Sequence, residues 1–314
     1  MRTVAPGKLV LSGAYAVLEG APAIVTAVDR YVIADSSREA EFLTPEVQCA
    51  IGERKAPAFD ASSLRADGRK LGIGSSAAIL VASMAALLMD DEPEIDGTNL
   101  AERIFPNAIV AHRRAQGGGS GVDVAASAYG GTIACVMRGE LLEVRAHKLA
   151  NGLVVDSYSA GQAASTAGML KAVRAFAASE PGAYAAIMGA LKEFANDAVL
   201  ASTTGDFVRA LRGQAIGLAA LGDGAGVPIV PREVRDVADA AIGDGVVVMP
   251  SGAGGGDVVV SVGEREACDR WSGALGSAGL KGLGLGIGAR GVHGIEGQVE
   301  AARPVQSLRW PRSR

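Results

Sequence analysis

Glycine constrains this chain more than any other residue type. Forty-three of the 314 residues are glycine. They cluster at 72–74, 117–121, 130–131, 252–256 and 282–288, and several clusters adjoin an apolar run that reads as strand or helix. Glycine enters left-handed backbone without steric cost, so clusters of this kind let the main chain approach a ligand. Low-complexity linker composition does not account for them. Aromatic residues make up only 4% of the chain, so its cores must be built from Ala, Val, Leu and Ile.

The length is generous for one domain and comfortable for two. A polar break before "GLVVDSYSAG" sets a boundary in the 148–165 region and divides the chain into units 1–155 and 156–314. In the first unit, "TVAPGKLVLSG" and "AIVTAVDRYVIADSS" read as strands, and "GTIACVM" and "ELLEVRA" as a strand pair. A helix runs from Ser75 or Ser76, at the N-cap, to about Met89. A second fills Pro106–Gln116 with proline in its first turn, and a third starts near Ser120. The second unit is helical from about Ala163 to Leu221, with helices near 231–242 and 264–277 and strands "GVVVMP", "DVVVSV" and "LKGLGLGI". The class is α+β. The Arg-rich end, "RPVQSLRWPRSR", reads as a tail.

Charge and cysteine content exclude several functions. A net charge of −4 leaves no domain-wide basic surface for nucleic acid, so any bound anion must be held locally. Cys49, Cys135 and Cys268 are far apart and read as reduced thiols. His112, His147 and His293 show no zinc spacing. The start, interrupted by Pro6, Gly7 and Lys8, is a poor signal peptide, and the apolar run Ala77–Met89 is too short to cross a bilayer. The expectation is a cytoplasmic protein without a membrane or nucleic-acid partner.

Three glycine motifs carry chemistry. "KLGIGSSAAILVASMAALL" places Gly72, Gly74, Ser75, Ser76 and Ala77 at the start of an apolar helix, where unpaired N–H groups and the helix dipole favour an anion. The serine hydroxyls are competent to ligate Mg²⁺; a plain helix cap is the bland alternative. "QGGGSGVDVAASAYGG" puts Ser120 and Gly121 ahead of Asp123, a carboxylate one turn into a short helix. "MPSGAGGGDVVV" offers Ser251, Gly252, Ala253, Gly254, Gly255 and Gly256 before Asp257. That is more glycine than a bulge or tight turn needs. Of only seven lysines, Lys8 and Lys70 lie beside such motifs.

In this order and spacing the motifs resemble the GHMP kinase family. "APGKLVLSGAYAVLEG" at 5–20 is similar to its first motif, "LGIGSSAA" at 71–78 to its second and "SGAGGGD" at 251–257 to its third. The resemblance implies an N-terminal domain with a left-handed β-α-β unit, a C-terminal ferredoxin-like domain, and ATP with Mg²⁺ between them. Within the family, "AHRRAQGGGSGVD", "SGAGGGD" and "SAGQAASTAGML" resemble phosphomevalonate kinases. His112 stands where mevalonate kinases carry a metal-binding Glu eleven residues before the catalytic Asp. Ala14 replaces the Glu usual in many first motifs.

The resemblance implies ATP-dependent transfer to 5-phosphomevalonate by a monomer or homodimer. Mevalonate or another small alcohol as acceptor, or a non-catalytic ATP sensor, are the rival readings. By family position, Lys8 stabilises the transferred phosphoryl group and Asp123 orients or charge-balances the centre. Lys70 and Gly72–Ala77 hold the ATP phosphates, with Ser76 on Mg²⁺. The acceptor side falls to His112, Ser120, Gly121, Ser165, Thr166 and Ser251–Asp257. Arg113, Arg114 and Lys171 are further candidate cations for bringing two polyanions together, with Arg113 and Arg114 reading equally as the solvated face of a helix.

Overall fold

The structure, a computed structural model, describes residues 1–66, 68–95, 97–161 and 166–295. The chain opens with β1 (Arg2–Ser12) and the 18-residue β2 (Pro22–Glu39). They pair antiparallel from Arg2↔Asp35 to Ser12↔Ile24. The register shifts between Pro6 and Gly7, directly before Lys8. Proline has no N–H for the ladder, so a bulge there is the expected solution. Thr44 caps α1 (Pro45–Ile51), its Oγ1 accepting from Val47 N at 3.3 Å. Next come β3 (Pro57–Asp60), which pairs with β2, and a small hairpin of β4 (Arg65–Ala66) and β5 (Arg69–Lys70).

Three helices follow: α2 (Ser75–Asp91), α3 (Gly97–Gln116) and α4 (Val122–Tyr129). Ala77, Ala78, Ile79, Leu80, Val81 and Ala82 of α2 are all buried. A helix that is apolar on every side has to lie inside. It packs against β1, β2, α3 and α4. The strands β6 (Thr132–Arg138) and β7 (Leu141–Ala146) extend the sheet beyond β2.

The second half contributes β8 (Leu153–Ser159), α5 (Thr166–Ser179), α6 (Pro181–Leu200), α7 (Thr204–Ala225) and α8 (Arg232–Ala240). Then follow β9 (Val246–Pro250), β10 (Val259–Glu264), α9 (Arg265–Ser277), β11 (Lys281–Gly282) and β12 (His293–Gly294). A second antiparallel sheet has the order β11-β8-β10-β9, while β12 returns to pair with β1.

Local expectations fail in two places. The helix expected from Pro106 begins nine residues earlier at Gly97, with Pro106 in its interior. Burial of Leu100, Ala101, Ile104 and Phe105 recruits the earlier turns, and packing outweighs the hydrogen bond that the proline forfeits. Of "LKGLGLGI" only Lys281–Gly282 forms a strand. The rest crosses between sheets, where Asp29 N donates to Gly286 O at 3.0 Å. The start at Ala163 lies outside the described residues, and the described helix opens at Thr166.

Two buried polar side chains tie the second half to β1. Gln214 of α7 accepts from Gly13 N at 2.8 Å and donates to Ser12 Oγ at 2.8 Å and to Phe194 O at 3.1 Å. Ser251 Oγ accepts from Val10 N at 2.9 Å and donates to Val10 O at 3.1 Å. Gln214 is 2% exposed, so no water takes over its role. Replacing Gln214 by Leu leaves Gly13 N–H buried without an acceptor. The expected loss is about 1–3 kcal/mol of unfolding free energy in a urea titration; no loss would show that the contact is not a strut.

Candidate functional site

A cavity of about 440 Å³ opens where β1, the N-termini of α2 and α4, the C-terminus of α3 and one face of α5 meet the segment after β9. Local sequence builds its floor. The N-cap of α2 is Gly74, at φ 81° and ψ 36°, with no side-chain hydrogen bond to the first turn. Ser75 and Ser76, expected as caps, are instead the first two helical residues. Their hydroxyls are not committed to capping, and both line the cavity. Uncapped first-turn N–H groups and the helix dipole make this an anion seat.

The absence of a Cβ at two glycines brings the three motifs together. At Gly74 a Cβ would lie 3.1 Å from Lys8 Cγ, 3.2 Å from Lys8 Cε and 3.7 Å from Asp123 Cβ. At Gly72 it would lie 2.5 Å from Asp257 Cβ. Lys8 N also donates to Ile73 O at 2.8 Å, which fixes β1 against this loop.

The electrostatics follow from that closeness. Burial pushes the Lys8 ammonium below its ordinary pKa, opposed by the carboxylates of Asp123 and Asp257. Burial would push Asp123 up. His112, Lys8 and the Val124 N–H at 3.0 Å outweigh it and hold the carboxyl at about 2. His112 Nε2 lies 3.3 Å from Asp123 Oδ2, with the Asp123 side chain 23% exposed. Burial lowers the His112 pKa, but Asp123 and then Glu46 prevail, so it stands above the usual value. Its Nδ1 is buried without a partner among the described residues, so a second ring proton has no acceptor there and the rise is restrained.

Of the residues singled out from sequence, Lys8, Lys70, Gly72, Gly74, Ser75, Ser76, His112, Ser120, Gly121, Asp123, Gly252, Ala253 and Asp257 line the cavity. Others do not. Ala77 is buried within α2. The Ser251 hydroxyl is spent on Val10. Gly254, Gly255 and Gly256 are buried; a Cβ at Gly254 would stand 2.1 Å from Ile229 O, and Gly255 N donates to that oxygen at 3.0 Å. At Gly254 and Gly255 the close approach is to the chain itself. Two further residues are not placed: Ser165 lies outside the described residues, as does the side chain of Thr166, whose backbone opens α5. Arg113 clamps the glycine loop by donating to Gly119 O and Ser120 O, while Arg114 and Lys171 are exposed away from the cavity.

Sequence reasoning missed Tyr15, Gln116 and Arg174, which also line the cavity. Tyr15 has φ 61° and donates its hydroxyl to Ala253 O at 2.7 Å, bridging the first and third motifs. No spacing rule announces it. Among the described residues no group of three or more His, Cys, Asp or Glu side chains could hold a metal. A Mg²⁺ arriving with a nucleotide would therefore rely on phosphate and water oxygens. Ser76 Oγ accepts from Gln116 Nε2 at 3.4 Å.

The Asp123–His112 pair gives a signed pH dependence. Asp123 is depressed to about 2, so its contribution of about 2 kcal/mol is present above about pH 4 and fades as pH falls towards 2. His112 is raised, so its share is full below about pH 6.5 and fades above its elevated pKa. Both shifts express one interaction and count once. In a double-mutant cycle of Asp123→Asn and His112→Asn, the coupling should peak between about pH 4 and 6.5. A coupling constant from pH 3 to 9 would rule the pair out.

No family model matches the chain. The phosphomevalonate kinase of Streptomyces sp. (strain CL190) is 28% identical over 339 aligned positions, covering 84% of this chain and 90% of the relative. The mevalonate kinase of Archaeoglobus fulgidus is 34% identical over 146 positions, covering 41% of this chain and 50% of that enzyme. Among solved structures, the Lin0012 protein of Listeria innocua superposes with a TM-score of 0.81 at 24% identity, covering 94% of this chain and 99% of that one. Streptococcus pneumoniae phosphomevalonate kinase, in complex with phosphomevalonate and AMPPNP, superposes at 0.74 and 18% identity, covering 91% and 99%. Three glycine motifs converge on one cavity in the α+β fold that this chain shares with these kinases, and the similarity to them supports a GHMP kinase family.

Proposed function

We propose that the chain is an ATP-dependent phosphotransferase of the mevalonate route whose acceptor is 5-phosphomevalonate, giving 5-diphosphomevalonate and ADP. One observation carries the choice of acceptor: Asp123 is engaged by His112 at 3.3 Å and held at about 2. A carboxylate that acidic is a poor base for an alcohol. A phosphomonoester needs no base, because its second pKa is about 6 and it is mostly ionised at neutral pH. The similarity to the Streptomyces phosphomevalonate kinase supports the same acceptor.

In this reading residues 1–155 carry the phosphate loop and Asp123, and residues 156–314 close the acceptor side. The start of α2, with Lys70 beside it, holds the ATP phosphates through backbone N–H groups and the Ser75 and Ser76 hydroxyls. Mg²⁺ brought with the nucleotide would neutralise phosphate charge, with Ser76 as its protein ligand. Lys8 projects to the junction of both helix starts and stabilises charge on the transferring group. Asp123 keeps Lys8 and His112 oriented and balances their charge. Tyr15 and Ala253 wall off the acceptor end.

The test is ADP release from Mg-ATP with 5-phosphomevalonate or mevalonate supplied separately. Turnover with the phosphorylated acceptor alone is expected. Turnover with mevalonate alone would overturn the acceptor assignment, and none with either would overturn the activity. Lys8→Met should lower kcat by about 10²–10³-fold while far-UV circular dichroism stays native. Wild-type turnover in that variant would remove Lys8 from the mechanism.

A further inference from the structure

The cations around the cavity are not equivalent. Lys8 faces Asp123 and Asp257, and Arg113 is committed to loop carbonyl oxygens. Arg174 has neither commitment. It lines the cavity from α5, on the face shared with Ala167 and Leu170 at helical spacing. It makes no hydrogen bond or ion pair with any described residue. Its Nη2 stands 3.9 Å from where a Cβ of Gly118 would be, which places the guanidinium beside the glycine loop that leads into α4.

That loop has a polarity. Arg113 Nε donates to Gly119 O at 3.1 Å and Nη2 to Ser120 O at 2.8 Å. The described peptide bonds are all trans. In a trans peptide the carbonyl and the following N–H point in opposite directions. The N–H groups of Ser120 and Gly121 therefore point away from Arg113. They continue into α4, whose N-cap Gly121 makes no side-chain cap bond and whose second residue is Asp123. The start of α2 is one anion seat; the far wall presents loop N–H donors with an uncommitted guanidinium fork beside them. Arginine matches the paired oxygens of a phosphate with two parallel N–H donors.

We propose that Arg174 grips the phosphate that the acceptor already carries, and that this contact sets the preference for a phosphorylated over an unphosphorylated acceptor. The inference rests on the phosphate-acceptor reading above. Arg174 is a substrate-binding residue placed by α5, and it supplies the second polyanion with a cation that the reaction centre does not spare.

The test compares wild type, Arg174→Gln and Arg174→Lys. Arg174 is exposed and has no partner among the described residues, so all three should fold alike. Arg174→Gln should raise KM for 5-phosphomevalonate by about 10–100-fold, the range of a charged hydrogen bond. KM for ATP should stay within about twofold, and Arg174→Lys should recover part of the loss. The inhibition constant of mevalonate, which has the carboxylate but no phosphate, should not change. An unchanged KM for 5-phosphomevalonate overturns the proposal, as does an equal loss for mevalonate, which would assign Arg174 to the carboxylate. Wild type inert towards 5-phosphomevalonate overturns the acceptor reading itself, and that outcome is read before either variant is measured.

Discussion

The contact on which the rest depends is the meeting of Lys8, Asp123 and the start of α2 across Gly74. A half-buried ammonium and a largely buried carboxylate are costly apart, and their association offsets that cost only when the geometry is close. The missing Cβ at Gly74 supplies the room. Around it the fold must bring a bulged strand, two helix N-termini and the return after β9 to one point. The apolar α2 anchors the first of these, because its buried flank leaves only its first turn to face the cavity.

The same closeness shapes the chemistry. With Lys8 and His112 both drawing on Asp123, the carboxylate serves as a fixed counter-charge. Its acidity makes it a weak proton acceptor, and the site instead concentrates cations and oriented N–H groups. In the proposed reaction that arrangement would serve the encounter of two phosphates, where repulsion and positioning dominate the barrier. Ser251 and Gln214 contribute indirectly: each satisfies backbone groups of the β1 segment and holds the second half against the strand that carries Lys8.

Much of this was legible in the sequence because it depends on local rules. Alternation and β-branching announce β1 and β2, and glycine followed by serine before an apolar run announces the start of α2. Lys8, Gly74, Ser76, Asp123 and Asp257 are identified from motifs and meet in one cavity. The misreadings are tertiary. Pro106 reads as a first turn until burial of Leu100 and Ile104 lengthens the helix. Gly254 reads as ligand-facing until Ile229 O fills the space beside it. Ser251 reads as polar lining until Val10 takes both roles of its hydroxyl. Tyr15 lies within the first motif and Arg174 outside any of the three, and for both only the folded chain shows that the side chain reaches the site.

The central claim is that the acceptor, and not an enzyme carboxylate, supplies the ionised nucleophile. The most direct measurement is the pH profile of kcat/KM for 5-phosphomevalonate beside that for its phosphonate analogue, whose second ionisation lies higher. The account predicts an acid limb near about pH 6 for the natural acceptor, following the phosphate's own ionisation, and its displacement to higher pH with the analogue. A limb that stays at the same pH with both acceptors would show that a group on the enzyme governs the reaction, and would contradict the account.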